Sequence, residues 1–129
     1  MDIKEFLKKD RFAEMLGIEI LEASGGIAKA RLEIRDKHLN AMDTVHGGAI
    51  FSLADLTLAA AANSYGNMAV ALNVNISFLK AVTKGTLYAE AIEISKNSKI
   101  GFYTLNITDS EGVLISSAQG MAYFKKDKF

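Results

Sequence analysis

Asp55 is a carboxylate set among Leu53, Ala54, Leu56 and Leu58. Taking an unpaired charge out of water into such surroundings costs several kcal/mol. A carboxylate held in a pocket can activate a water molecule or attack a carbonyl directly. On an exposed helix stripe, or paired with a Lys or Arg from a strand, it would do neither. Eight positions earlier the chain reads His46-Gly47-Gly48. A helix starting there would present unpaired N–H groups and partial positive charge, and glycine lets a ligand oxygen approach the backbone closely. Such a start can serve as an oxyanion hole for a carbonyl. Packing alone can also demand glycines at a helix start. His46 and Asn40 lie just upstream, and a lone His before a helix is often a cap.

Other site chemistries find little support. The chain has no cysteine, which rules out disulfides, thiolate catalysis and Cys-based zinc sites. His38 and His46 are its only histidines, and neither belongs to an HExxH-like spacing, so no metal site is expected. Ser52 falls inside the helical segment without a GxSxG turn, which makes a Ser–His–Asp triad a poor reading. There is no dinucleotide or phosphate-loop pattern.

The elements that must position these residues follow from periodicity. Residues 2–16 place Ile3, Phe6 and Leu7 on one helical face, with Phe12 and Leu16 off it, and Gly17 supplies a stop. Ile18–Ile20 and Ile27–Ile34 nearly alternate across Ser24-Gly25-Gly26, as in a glycine-turn hairpin. Residues 36–45 are polar and irregular and read as a loop. Residues 47–66 are apolar on nearly every side, which predicts a buried helix, and the alanines at 59–62 would let a sheet come close. Strands are predicted over 68–79, 86–95, 100–108 and 113–124. Thr83-Lys84-Gly85, 96–99 and 109–112 link them, and such short connections point to antiparallel pairing. The order is helix, two strands, one buried helix, four strands: an α+β chain whose single sheet wraps one helix. A length of 129 residues fits a single domain over 1–129. The open sheet edges make dimerisation through an edge strand an expectation.

Lys plus Arg and Asp plus Glu both number 15, so no net charge steers the chain to nucleic acid or an anionic membrane. The longest apolar stretch, 48–62, is interrupted by Ser52, Asp55 and Thr57 and is too short for a bilayer. The N-terminus lacks the apolar core of a signal peptide. A cytoplasmic protein is expected.

The order Asn40-Ala-Met-Asp-Thr-Val-His46-Gly47-Gly48-Ala-Ile-Phe51-Ser-Leu53-Ala54-Asp55 resembles the hotdog-fold acyl-CoA thioesterases of the phenylacetate-degradation type. The likeness runs through nearly the whole chain and includes the stretch NVNISFLKAVTKG. It implies a hotdog fold, with an antiparallel sheet of about six strands wrapped around one long central helix. It also implies hydrolysis of acyl-CoA to a carboxylic acid and coenzyme A, without metal or cofactor.

By the same resemblance Asp55 is the general base or nucleophile, and the Gly47 N–H polarises the carbonyl beside Gly48. His46 and Asn40 position the thioester and the attacking group. The resemblance further implies homodimers that pair into homotetramers, with active sites at subunit interfaces where Asp55 faces Asn40 and Gly47 of a neighbouring chain. Lys80, Lys96 and Lys99 are candidates for the coenzyme A phosphates. Two positions depart from the pattern. Ala71 stands where several relatives carry a Ser or Thr that helps hold the water, so either Asn73 or a backbone group substitutes or hydrolysis is slow. Ala81 stands where a proline is common. A non-catalytic acyl-CoA-binding module and an acyl-CoA hydratase are the alternatives on this fold.

Overall fold

The computed structural model describes all 129 residues. The N-terminal segment forms two short helices, α1 (Ile3–Leu7) and α2 (Arg11–Leu16), where periodicity predicted one. The break falls at Asp10, whose carboxylate accepts the Ala13 N–H at 3.0 Å and so caps a new helix. The restart re-aims the second turn, which is why Phe12 and Leu16 leave the face of Ile3, Phe6 and Leu7. Gly17 ends α2 in a left-handed conformation, φ 84°.

Strands β1 (Ile18–Ser24) and β2 (Ile27–Glu33) form the expected hairpin. Both residues of its turn, Gly25 and Gly26, have positive φ, 57° and 84°, as a turn matched to strand twist requires. The long helix α3 spans Gly47–Ala62, followed by a tight turn at Asn63–Tyr65. Then come β3 (Asn67–Phe78), β4 (Thr86–Lys96), β5 (Ile100–Thr108) and β6 (Leu114–Lys128). The six strands make one antiparallel sheet in the order β1-β2-β4-β5-β6-β3.

The sheet curls around α3. Ala28 of β2, Ala91 of β4, Leu105 of β5 and Ala118 of β6 stand side by side in register, all buried. Alanines dominate because the helix lies close. At Gly120 a Cβ would fall 2.7 Å from the Leu58 side chain, so the sheet can approach only where that position is bare. Leu53 and Leu58 are buried on the helix side, each adding roughly 1.5–3 kcal/mol on full burial. Thr57, also buried, satisfies its hydroxyl by donating to the Leu53 carbonyl at 2.6 Å.

The short link between β3 and β4 does not close a hairpin, although its length allows one. β3 pairs with β6 at one sheet edge, while β4 pairs with β2 and β5. The link crosses the end of the molecule where α3 begins, and its polar groups bond elsewhere. The Val82 carbonyl accepts the Val45 N–H at 2.9 Å, and the Gly85 carbonyl accepts the Ile34 N–H at 2.8 Å. Crossing there fastens the loop before α3 to the sheet, which sets where His46, Gly47 and Gly48 stand.

Candidate active site

The start of α3 is held by the side chain of His46. Its Nδ1 accepts the Gly48 N–H at 2.7 Å, so the remaining ring proton of the neutral imidazole sits on Nε2. The His46 carbonyl accepts the N–H groups of Ala49 and Ile50 at 2.9 and 3.2 Å. Of the donors in the first turn, this leaves the Gly47 N–H without an acceptor in the chain. Each glycine has its own steric reason. A Cβ at Gly48 would lie 3.0 Å from the capping Nδ1, and one at Gly47 would lie 3.3 Å from the Phe78 ring. His46→Ala is expected to lower stability by about 0.5–2 kcal/mol, as loss of a side-chain cap does, whereas His46→Asn should retain most of it. Urea denaturation midpoints measure both.

Asn40 organises the loop before the helix. Its Oδ1 accepts the N–H groups of Met42 and Thr44 at 2.9 and 3.2 Å, and its Nδ2 donates to the Thr44 hydroxyl at 3.0 Å. The carboxamide closes a turn tight enough to put Asp43 at φ 58°, a left-handed conformation that Asp tolerates. His38 is buried in the same region. Its Nδ1 accepts the Arg35 N–H at 2.9 Å, and its Nε2 meets the Leu16 carbonyl at 2.7 Å. The two imidazoles are thus bound separately into the backbone, and the two residues meet through the His46 N–H, which the His38 carbonyl accepts at 2.7 Å.

Asp55 lies half-buried on α3, beside a cavity of about 240 Å³ lined by Asp10, Phe12, Ile18, Phe51, Ser52 and Leu56 among others. Loss of solvent raises its carboxyl above the ordinary value of 3.8, and the Asp10 charge adds to the rise. No lysine or arginine lines this cavity. Eight residues of helix separate Asp55 from Gly47, about 12 Å along the axis. One thioester carbonyl therefore cannot touch both groups within a single chain. His46 and Gly48 line a neighbouring cavity of about 480 Å³ that shares Phe12, Phe51 and Ser52 with the first. Neither Asn40 nor Gly47 borders the Asp55 cavity.

A glycine-started helix, an open N–H and a half-buried carboxylate narrow the comparison with known proteins. The thioesterase superfamily model matches residues 42–116, a stretch that contains both His46 and Asp55.

The chain belongs to the thioesterase superfamily.

A relative in Archaeoglobus fulgidus, named "Putative esterase", is 40% identical over 98% of this chain and 84% of its own length. The acyl-coenzyme A thioesterase PaaI of Escherichia coli K12 is 32% identical over 90% of this chain and 84% of its own. The solved structure of the E. coli PaaI protein from the phenylacetic acid degradation operon superposes with a TM-score of 0.90. It is 28% identical, and the match covers 97% of this chain and 93% of that one. The chain is a thioester hydrolase of the hotdog fold, of the phenylacetate-degradation type.

The other residues singled out in this thioesterase fall at two ends of the molecule. Lys80 follows Phe78, whose ring borders Gly47, so it stands near the start of α3. Lys96 lies at the opposite end. Its Nζ sits 4.6 Å over the Tyr65 ring, just past the C-terminus of α3, and 5.1 Å from the Phe124 ring. Lys99 is in the neighbouring β4–β5 turn, where its carbonyl accepts the Phe124 N–H. Ala71 and Asn73 are exposed on the edge strand β3, on either side of a bulge, and do not border the Asp55 cavity.

Asp10 does not stand out in the sequence as a site residue. Its only signal there was the N-cap pattern of an Asp before Arg-Phe-Ala, which marks a helix start but not its neighbour across the cavity.

Proposed function

We propose that this thioesterase hydrolyses an acyl-CoA to the free acid and coenzyme A, with Asp55 as general base or nucleophile. What supports this most is the pairing of an uncapped Gly47 N–H with a half-buried carboxylate that no cation neutralises. In the general-base form, a water gives its proton to Asp55 and its oxygen bonds to the thioester carbon. The carbonyl oxygen becomes an oxyanion that the Gly47 N–H stabilises. The intermediate then collapses, the C–S bond breaks, and the thiolate takes up the proton. In the nucleophilic form, Asp55 attacks the thioester carbon, the C–S bond breaks with coenzyme A leaving as the thiolate, and water then cleaves the resulting anhydride to free acid and Asp55. The scheme calls on no metal or cofactor.

The separation of Gly47 from Asp55 along one helix favours a site shared by two chains, in which Asp55 of one faces Gly47 and Asn40 of another. The open edge of the sheet favours self-association. β3 is an edge strand that exposes Val70, Leu72 and Phe78, and such an edge can pair with another chain. Asn40 then acts through the loop it folds, and His46 through the cap that fixes the direction of the Gly47 N–H. Lys80, near the helix start, is the favoured contact for a coenzyme A phosphate, with Gly48 beside the thioester. Lys96 and Lys99 could take part only from another subunit. The chain has no helix long and apolar enough to cross a membrane.

Free-thiol release from a panel of acyl-CoA substrates tests the reading. Turnover is expected. Tight acyl-CoA binding without thiol release would replace it with a binding module.

A further inference from the structure

Resting on that reading, we propose that Ser52 holds the attacking water together with Asp55. The water donates one hydrogen to the Asp55 carboxylate and the other to the Ser52 Oγ, which commits the reaction to its general-base form.

Beyond its first two residues, α3 is buried except at Phe51, Ser52, Asp55 and Ala59. These positions share one face of the helix, and Ser52 and Asp55 carry the only polar side chains on it. Ser52 stands one turn nearer the helix start. Residues three apart on a helix have Cβ atoms ~5–6 Å apart, a gap that one water bonded to both side chains at ~2.8 Å can span. Helix side chains lean towards the N-terminus, so the Asp55 carboxylate leans towards the turn that carries Ser52.

The hydrogen of Ser52 is already engaged. The hydroxyl donates to the Gly48 carbonyl at 2.7 Å, which leaves its oxygen as an acceptor with free lone pairs. A water has two hydrogens to place. With both held by acceptors, its own lone pairs are left to point at the thioester carbon, whereas Asp55 alone would let it turn about a single bond. Phe12, Phe51 and Ser52 border both the Asp55 cavity and the one beside His46 and Gly48, and of these three only Ser52 can hydrogen-bond through its side chain. The one other polar side chain at the Asp55 cavity is Asp10, which accepts the Ala13 N–H as the cap of α2.

Ser52 itself transfers no proton. Water gives one proton to Asp55 as its oxygen bonds to the thioester carbon. The second proton stays on that oxygen, hydrogen-bonded to Ser52, and leaves with the product acid. The proton on Asp55 passes to the departing thiolate as the C–S bond breaks, which returns the carboxylate for the next turnover.

The test is a double-variant cycle on thiol release from acyl-CoA. Ser52→Ala should lower kcat by about three- to tenfold, the scale of one neutral hydrogen bond, with KM unchanged. Alanine favours a helix at least as well as serine, so the melting temperature should hold or rise, and a slower variant is not an unfolded one. Ser52→Thr keeps a hydroxyl able to bond the carbonyl four residues back and should retain about half or more of the wild-type kcat. In an Asp55→Asn background, Ser52→Ala should lose nothing further, because the two residues act through one water. A further loss there as large as in the wild-type background would overturn the role of Ser52. So would a wild-type kcat in Ser52→Ala, a Ser52→Thr as slow as Ser52→Ala, or a raised KM with kcat unchanged, which marks a substrate contact. If wild type releases no thiol, or Asp55→Asn keeps the full rate, the hydrolytic reading fails first and the role of Ser52 with it.

Discussion

Asp55→Asn is expected to lower kcat by about 10²–10⁴-fold, the range for loss of a positioned general base, without lowering the melting temperature. The two halves of this result have one cause. Burial disfavours the charged carboxylate, and Asp10 disfavours it further. A carboxyl with a raised folded-state pKa lends stability that is fully present below its ordinary value of 3.8 and is lost as pH rises through the folded value. At neutral pH the native state thus carries a charge it would be more stable without. Asparagine removes the charge at nearly constant shape, so stability should hold or rise while hydrolysis falls, the usual trade at a functional site. A variant that kept the wild-type rate would take Asp55 out of the mechanism.

The influence of Asp10 on the same carboxylate can be separated from its structural role. Asn caps a helix about as well as Asp, so Asp10→Asn should leave α2 in place while deleting the charge. Asp55 would then ionise at lower pH, and the acidic limb of the rate profile should move down with it. A limb that stays in place would mean that the two carboxylates do not sense each other in the working enzyme.

How much of this was legible in the sequence depends on how local each cause is. The glycine hairpin at Gly25-Gly26 and the stop at Gly17 need only backbone conformations that glycine supplies, so both are legible in the sequence. The helix at 47–62 declared itself by being apolar all round, which only a wrapped helix can afford. Asp10 splitting the N-terminal helix is also local, but its capping pattern was masked by a continuous run of helix-forming residues. The crossing link between β3 and β4 was beyond reach, because it depends on which strands pair across α3. At the site, the types and spacing of Asn40, His46, Gly47 and Asp55 were visible, and the family likeness supplied their roles. That the Gly48 N–H is taken by His46 while that of Gly47 stays open could come only from geometry.

That open N–H can be removed alone. Gly47 is the first residue of α3, a position where proline is well tolerated because its fixed φ suits the helix and its missing donor has no partner inside the helix. His46 already has the extended conformation, φ −61° and ψ 135°, that a residue before proline requires. The new ring would press on Phe78, whose side chain is exposed. Gly47→Pro should therefore keep the fold while reducing kcat by about 10²–10³-fold, the cost of one oxyanion donor. Mixing it with Asp55→Asn gives a sharper result. If each site joins Asp55 of one chain to Gly47 of another, a mixed dimer holds one site with both groups intact and one with neither. Random reassembly of equal amounts makes half the dimers mixed, so about a quarter of the wild-type activity should return from two nearly inactive parents. Refolding the two variants together and assaying thiol release measures this directly. No recovery in a sample proven to contain mixed dimers would place both groups of each site on one chain. The 12 Å of helix between them, at about 1.5 Å per residue, would then rule out Gly47 as the donor to the carbonyl that Asp55 acts on.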